Sequence, residues 1–376
     1  MPIATKAMVV LCLMLVVPMA IAQTLLATLP VSNYPQAIAV NPFTNRVYVI
    51  EEPTNAIVVI DGVTNATSSI SLGANAQQSL NGSLAINPIT NMIYAVDGVN
   101  NHLTVLDGAT NAFTQVPTGN AAYALAVNPY TNKIYVANFN DNTVTVVDGG
   151  TLASATINVG VHPSAIGIDL QKNKIYVANS NSNTVTELDG RTNKTTTIAV
   201  GSYPAILSVN SSTHMVYVGN LTSQTVSVID GTGNVTATIP SGYPSAMGIN
   251  YATNKIYVGN IIAQDVIVID GKTNTTTIAA PGTYTQSIAV DQIRNKVYVL
   301  SAQSTVTIID GQTNATTIFG SNGYCLNVAL DVLTDRAYVV NVANAASNVS
   351  VFQGANKTFP LPLLEELIGA TNAVHP

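Results

Sequence analysis

The side chains with chemistry to offer are four histidines, two cysteines and a set of evenly spaced aspartates. Histidine moves protons or ligates metal near neutral pH. A cysteine thiolate is a nucleophile, and paired carboxylates share acid–base work. The spacing supports none of these roles. His102, His162, His214 and His375 fall in different segments, with no metal-ligand spacing, haem-attachment Cys-x-x-Cys-His or nucleophile elbow. No cofactor, metal ligand or catalytic residue is assigned. Cys12 belongs to an apolar leader, which leaves Cys325 alone and expected to be buried rather than reactive. Asp61, Asp107, Asp148, Asp189, Asp230, Asp270 and Asp310 are each followed by glycine. One carboxylate repeated in one kind of turn caps that turn, whereas an active site breaks such symmetry.

These aspartates mark a repeat. Tyr48, Tyr94, Tyr135, Tyr176, Tyr217, Tyr257, Tyr298 and Tyr338 recur every 40–41 residues after a first interval of 46. Gln353-Gly354 takes the place of an eighth Asp-Gly. A strand-rich period of this length predicts an all-β fold, a single β-propeller with one unit per blade. In unit three, Ala124–Val127 reads as inner strand a, with small and larger aliphatic residues alternating. Lys133–Asn138 reads as strand b and Thr143–Val147 as strand c, rich in β-branched residues. Runs such as Thr195-Thr196-Thr197-Ile198 suit an outer, solvated strand d. The count of tyrosine strands predicts eight four-stranded blades, with seven as the alternative.

Ile134-Tyr135-Val136-Ala137-Asn138, Ile175-Tyr176-Val177-Ala178-Asn179 and the Asp-Gly-x-Thr-Asn turns resemble the YVTN family of β-propeller repeats. That family is related to NHL-type propellers and includes archaeal surface-layer domains and bacterial exported proteins. The resemblance implies a propeller and implies little about activity. Many such relatives have seven blades, which sets the eight units here apart.

The chain ends predict export. Lys6, the apolar Met8–Met19 and Ala20-Ile21-Ala22 read as a signal peptide over residues 1–22. Residues 23–360 then form the propeller, and 361–376 a tail in which Leu363–Ile368 could be a short helix. The predicted location is secreted, periplasmic or cell-surface, without a membrane span. Leu25–Leu29 is expected to pair with Asn348–Phe352 and close blade eight, in competition with Lys357–Leu361. A net charge of −6 and only 9% charged residues argue against nucleic acid or anionic membrane as a general partner.

Two rings of residues carry the functional reading. Seven residues before the Asn or Asp that ends strand a stand Tyr34, His162, Tyr203, Tyr243, Tyr284 and Tyr324. Leu80 and Ala121 take this place in units two and three. The connections into strand a share a face with the b–c loops, which add Glu51, Glu52, Asp97, Asn138, Asp141, Asn179, Asn220 and Asn260. An aromatic rim there suits a polymer, a glycan or a protein segment. Blade-to-blade packing, helped by Pro35, Pro163, Pro204 and Pro244, is the commoner use of such a position. On the opposite face Arg46, Lys133, Lys174, Lys255, Lys296 and Arg336 precede strand b, and solvated hairpin positions outweigh an anion-binding surface. The resulting expectation is an exported, non-enzymatic scaffold that binds a protein, glycan or surface polymer. The alternative is a propeller enzyme, a lactonase-like hydrolase or lyase, with a metal at the channel mouth.

Overall fold

A computed structural model describes residues 23–31, 34–52, 54–72, 83–280, 282–343 and 347–354. The expected signal peptide over residues 1–22, Leu80, Lys357–Leu361, His375 and the C-terminal tail lie outside the described residues. The described chain forms 32 strands in eight antiparallel sheets of four. It is an eight-bladed β-propeller. Blades one to seven are sequential meanders, as in blade three: Ala122–Asn128, Lys133–Asn138, Thr143–Asp148 and Ser154–Asn158.

The turns explain the meander. Asn45, Asn91, Asn132 and Asn173 hold φ between 50° and 55° at the a–b turns, a region that asparagine tolerates better than most L-residues. At the c–d turns the aspartate side chain takes up free N–H groups. Asp148 accepts the N–H of Gly150 at 3.0 Å, and both the N–H and hydroxyl of Thr151 at 2.9 and 3.1 Å. These bonds, the Thr151 N–H foremost, hold its carboxyl below the usual carboxylate range. Asp61 and Asp189 are lowered chiefly by the N–H of the threonine three residues on, and Asp270 by the Lys272 N–H. Asp230 falls to about 2, through the Thr232 hydroxyl first and the Asn234 N–H next.

A carboxyl with a lowered folded-state pKa stabilises the fold above its ordinary value of about 4 and loses that contribution as pH falls through the folded value. The melting temperature is therefore expected to be flat from pH ~7 to ~5 and to drop between pH ~4 and ~2. Aspartate-to-asparagine changes at Asp61, Asp148, Asp189 and Asp230 together should flatten that drop. A drop of unchanged depth would assign the acid sensitivity elsewhere.

Neighbouring blades bury each other's faces, so strands b and c lack polar alternation. All eight repeat tyrosines are at most 2% exposed. The phenols of Tyr48 and Tyr217 lie against the glycine of the next blade's c–d turn. A Cβ built on Gly108 would lie 2.7 Å from the Tyr48 hydroxyl, and one on Gly271 equally close to the Tyr217 hydroxyl and 2.6 Å from Asn254 Oδ1. At these two seams the Tyr and Asp-Gly signatures are two halves of one contact. Gly271→Ala is expected to cost about 1–3 kcal/mol in denaturant unfolding. Gly150→Ala meets only Asp148 Oδ1, at an ordinary 3.4 Å, and should be close to neutral.

Polar clasps also join the blades. The amide of the strand-a asparagine donates to the turn asparagine of the next blade in Asn41–Asn91, Asn87–Asn132, Asn128–Asn173, Asn210–Asn254 and Asn250–Asn295, at 2.7–2.9 Å. Between blades four and five, His214 Nδ1 and Asp169 Oδ2, 2.8 Å apart, replace the amide pair. Between blades seven and eight, Arg294 bridges Asp291 and Asp335 at 2.7 and 3.1 Å.

The ring closes through the N-terminal strand Thr24–Pro30, which is the outer strand of blade eight. Its register pairs Leu25 with Phe352 and Leu29 with Val349. Arg336 of blade eight donates to the Gly62 carbonyl of blade one. Cys325 is buried, and desolvation pushes its thiol up to about 11 despite the Ser321 hydroxyl beside it.

Candidate functional site

The face that carries the d–a connections is built on a regular backbone grid. The carbonyls of Tyr34, His162, Tyr203, Tyr243 and Tyr284 accept N–H groups of Glu52, Ser180, Leu221, Ile261 and Ala302, at 3.0–3.2 Å except for 2.9 Å at Tyr203. Each connection is thereby fastened to the b–c loop of its own blade. The N–H groups of His162 and Tyr203 donate to Asn142 and Asn183 of the preceding blade, both at 2.9 Å. The Tyr243 N–H donates to Asn260 at 3.1 Å.

The local backbone does not demand an aromatic residue here. Tyr34, His162 and Tyr203 lie in the left-handed region, with φ of 66°, 55° and 57°. Ala121 adopts the same conformation with φ 54° in blade three. In the last blades glycine takes the left-handed place, at Gly242, Gly282 and Gly323, and a tyrosine still follows one or two residues later. An L-residue with a bulky side chain is unfavourable in this region, and such outliers cluster at functional sites.

Four of these rings project into solvent. Tyr34 is 61% exposed, Tyr203 41%, Tyr324 40% and Tyr243 36%. Tyr284 is half-buried, with its hydroxyl bonded to Gln264. His162 is half-buried and stacks on Phe139, with centroids 4.3 Å apart and planes at 16°. Tyr123 lies against the other part of that pair, 5.6 Å from Phe139. Desolvation and the neighbouring Tyr203 raise the Tyr123 phenol. Blade three, which has only Ala121 at the rim position, thus supplies aromatics from two other places. Tyr123 and Phe139 were not among the residues that the repeat offset selects. Their signal in the sequence is a break in the repeat, because the equivalents of Tyr123 are Gln36, Gly82, Ser164, Ala205, Ser245, Gln286 and Leu326, none of them aromatic.

The polar residues of the b–c loops turn inward, contrary to expectation. Glu51, Asp97, Asn138, Asn179, Asn220 and Asn260 are buried. Asn138 donates to Thr143 and Thr145, both at 2.9 Å, and Asn179 and Asn220 repeat this with their own strand-c hydroxyls. A buried amide at the end of strand b has no water to bind, so it braces strand c. Asp141 stays exposed and accepts the Asn120 N–H at 2.7 Å. Glu52 accepts Gln36 at 3.2 Å.

The basic ring on the opposite face also differs from expectation. Arg46 donates to the Gly108 carbonyl at 2.7 Å and Lys133 to that of Gly190 at 2.9 Å. Lys174 pairs with Glu187 at 2.6 Å and reaches the Gly231 carbonyl, while Lys255 reaches that of Gly311. Each carbonyl acceptor belongs to the following blade, whereas Glu187 lies in the same blade as Lys174. Five of the six cations, Arg336 included, are therefore inter-blade clasps.

His102 lies by Gln115, at 2.9 Å, and 3.6 Å from Asp97. Among the described residues no group of three or more His, Cys, Asp and Glu side chains could hold a metal ion. No helix among them is long and apolar enough to cross a membrane. Comparison with known proteins finds no matching family model and no matching curated protein.

Proposed function

We propose that this propeller is an exported binding scaffold of the YVTN kind, and that its aromatic rim receives a glycan or an extended peptide segment of a surface polymer. One observation carries the reading. Tyr34 and Tyr203 stand where the backbone accepts alanine equally well, Tyr243 and Tyr324 follow a glycine that takes that conformation, and all four are exposed. Packing between blades rewards a buried ring, as the strand-b tyrosines illustrate, and gives no reason to expose one.

The arrangement fits such a ligand. A tyrosine offers a broad apolar face and a hydroxyl while few torsions are ordered on binding. The hydrogen-bonded connections beneath the rim pre-organise it, which lowers the ordering cost of binding. The Tyr123–Phe139–His162 cluster lies beside Tyr203 and joins the rim across blades three to five.

Tyr203→Ala and Tyr243→Ala test this reading. Each is expected to weaken binding to the recognised polymer by about 1 kcal/mol or more. Each should leave the melting temperature within a degree or two of wild type, as surface substitutions do. The measurements are thermal melting and titration against a panel of cell-surface glycans and peptides. If both variants melt several degrees lower and retain full binding, the rim is structural and the reading fails.

A further inference from the structure

We propose that Gln23 is a modification site, where the α-amino group and side-chain amide condense to a buried pyroglutamate lactam once residues 1–22 are removed. The proposal rests on the export reading, since only a chain that starts at Gln23 has a free amine there.

Gln23 is not on a loose end. It is 4% exposed, and its Nε2 donates to the hydroxyl of Tyr298, itself 2% exposed, in blade seven. The next residue, Thr24, already pairs with Gln353 of blade eight. The bond that follows Ala20-Ile21-Ala22 therefore leads straight into the seam between two blades.

Charge makes an open terminus unfavourable at this place. In the chain that carries residues 1–22 this nitrogen is a neutral peptide amide; freed as a protonated α-amine it would be a full cation beside a buried side chain, which is costly unless a carboxylate pairs with it. The acids acting on the Tyr298 phenol are Asp291 and Asp335. Arg294 already bridges both, and all three side chains are at most 5% exposed. Gln23 Oε1 has no hydrogen-bond partner among the described residues, so the present arrangement leaves one polar atom unserved.

Condensation resolves both problems. The α-amine nitrogen attacks Cδ and forms a C–N bond. The Cδ–Nε2 bond breaks, and ammonia leaves with the proton that the amine gives up. No oxidant or reductant is involved. The product is a neutral five-membered ring that keeps its carbonyl oxygen, to which the Tyr298 hydroxyl can donate. It also lacks the free amine that aminopeptidases require, at the very end of the strand that closes the ring.

The test is the intact mass of the exported protein, measured unfolded, with amine-specific labelling of the N-terminus. The expected mass is that of Gln23–Pro376 less one ammonia, with no label on residue 23. The Gln23→Ala chain should keep its whole mass and take the label, and this readout does not require that variant to be stable. A wild-type chain cut before Gln23 with its full mass and a labelled terminus would overturn the proposal and leave the export reading standing. A chain cut elsewhere would do the same. A chain that retains residues 1–22 would overturn both.

Discussion

A chain that begins at residue 32 is expected to lose most of the cooperative unfolding transition of one that begins at residue 23, while one that lacks residues 363–376 melts close to the parent. Thr24–Pro30 is the only strand of blade eight drawn from the N-terminal end of the chain. Its removal strips the partner from Asn348–Gln353, in which Val349, Val351 and Phe352 are at most 2% exposed. A row of N–H and C=O groups opens to water, each bond worth about 1 kcal/mol net. Leu29 adds roughly 2 kcal/mol of lost burial. The sum is on the order of 5 kcal/mol or more, comparable with the whole stability of an ordinary domain. The exposed edge is also a template for pairing with other chains, so the truncated protein should aggregate on heating. Calorimetry of the two truncations decides the matter, and equal melting temperatures would falsify the closure account.

The second large effect is expected at the repeat tyrosines. Tyr217 is fully buried, and its hydroxyl lies against Gly271 of the next blade. Tyr217→Ala removes a whole ring from a site that cannot collapse, because both blade faces are sheets held by their own ladders. A cost of about 3–5 kcal/mol follows, or on the order of 10 °C in melting temperature. Tyr217→Phe keeps the volume and should cost less than about 1.5 kcal/mol. Tyr203→Ala on the rim should cost far less than Tyr217→Ala. That contrast separates the two tyrosine populations in one experiment. If Tyr217→Ala and Tyr203→Ala melted alike, the division into a packing set and a surface set would be wrong.

The blade, its turns and the number of blades were legible in the sequence. Each is local or counted: a β-branched strand, an Asn or Asp whose side chain bonds its own turn, a tyrosine once per unit. The N-terminal closing strand was legible as well, because Ala27-Thr28-Leu29-Pro30 resembles the outer strand Ala237-Thr238-Ile239-Pro240. The direction in which polar side chains point was not legible. Asn138 and Lys133 stand at the two ends of one six-residue strand, and both read as solvent-facing residues. In the fold Asn138 is buried and braces its own strand c at Thr143 and Thr145, while Lys133 clasps the next blade through the Gly190 carbonyl, 57 residues away in sequence. Period and composition alone determined the architecture of this protein, since every blade solves the same local problem with the same residues. Only the tertiary structure decided which tyrosines are buried knobs and which stand in water, because burial depends on the adjacent blade and not on the unit that carries the residue.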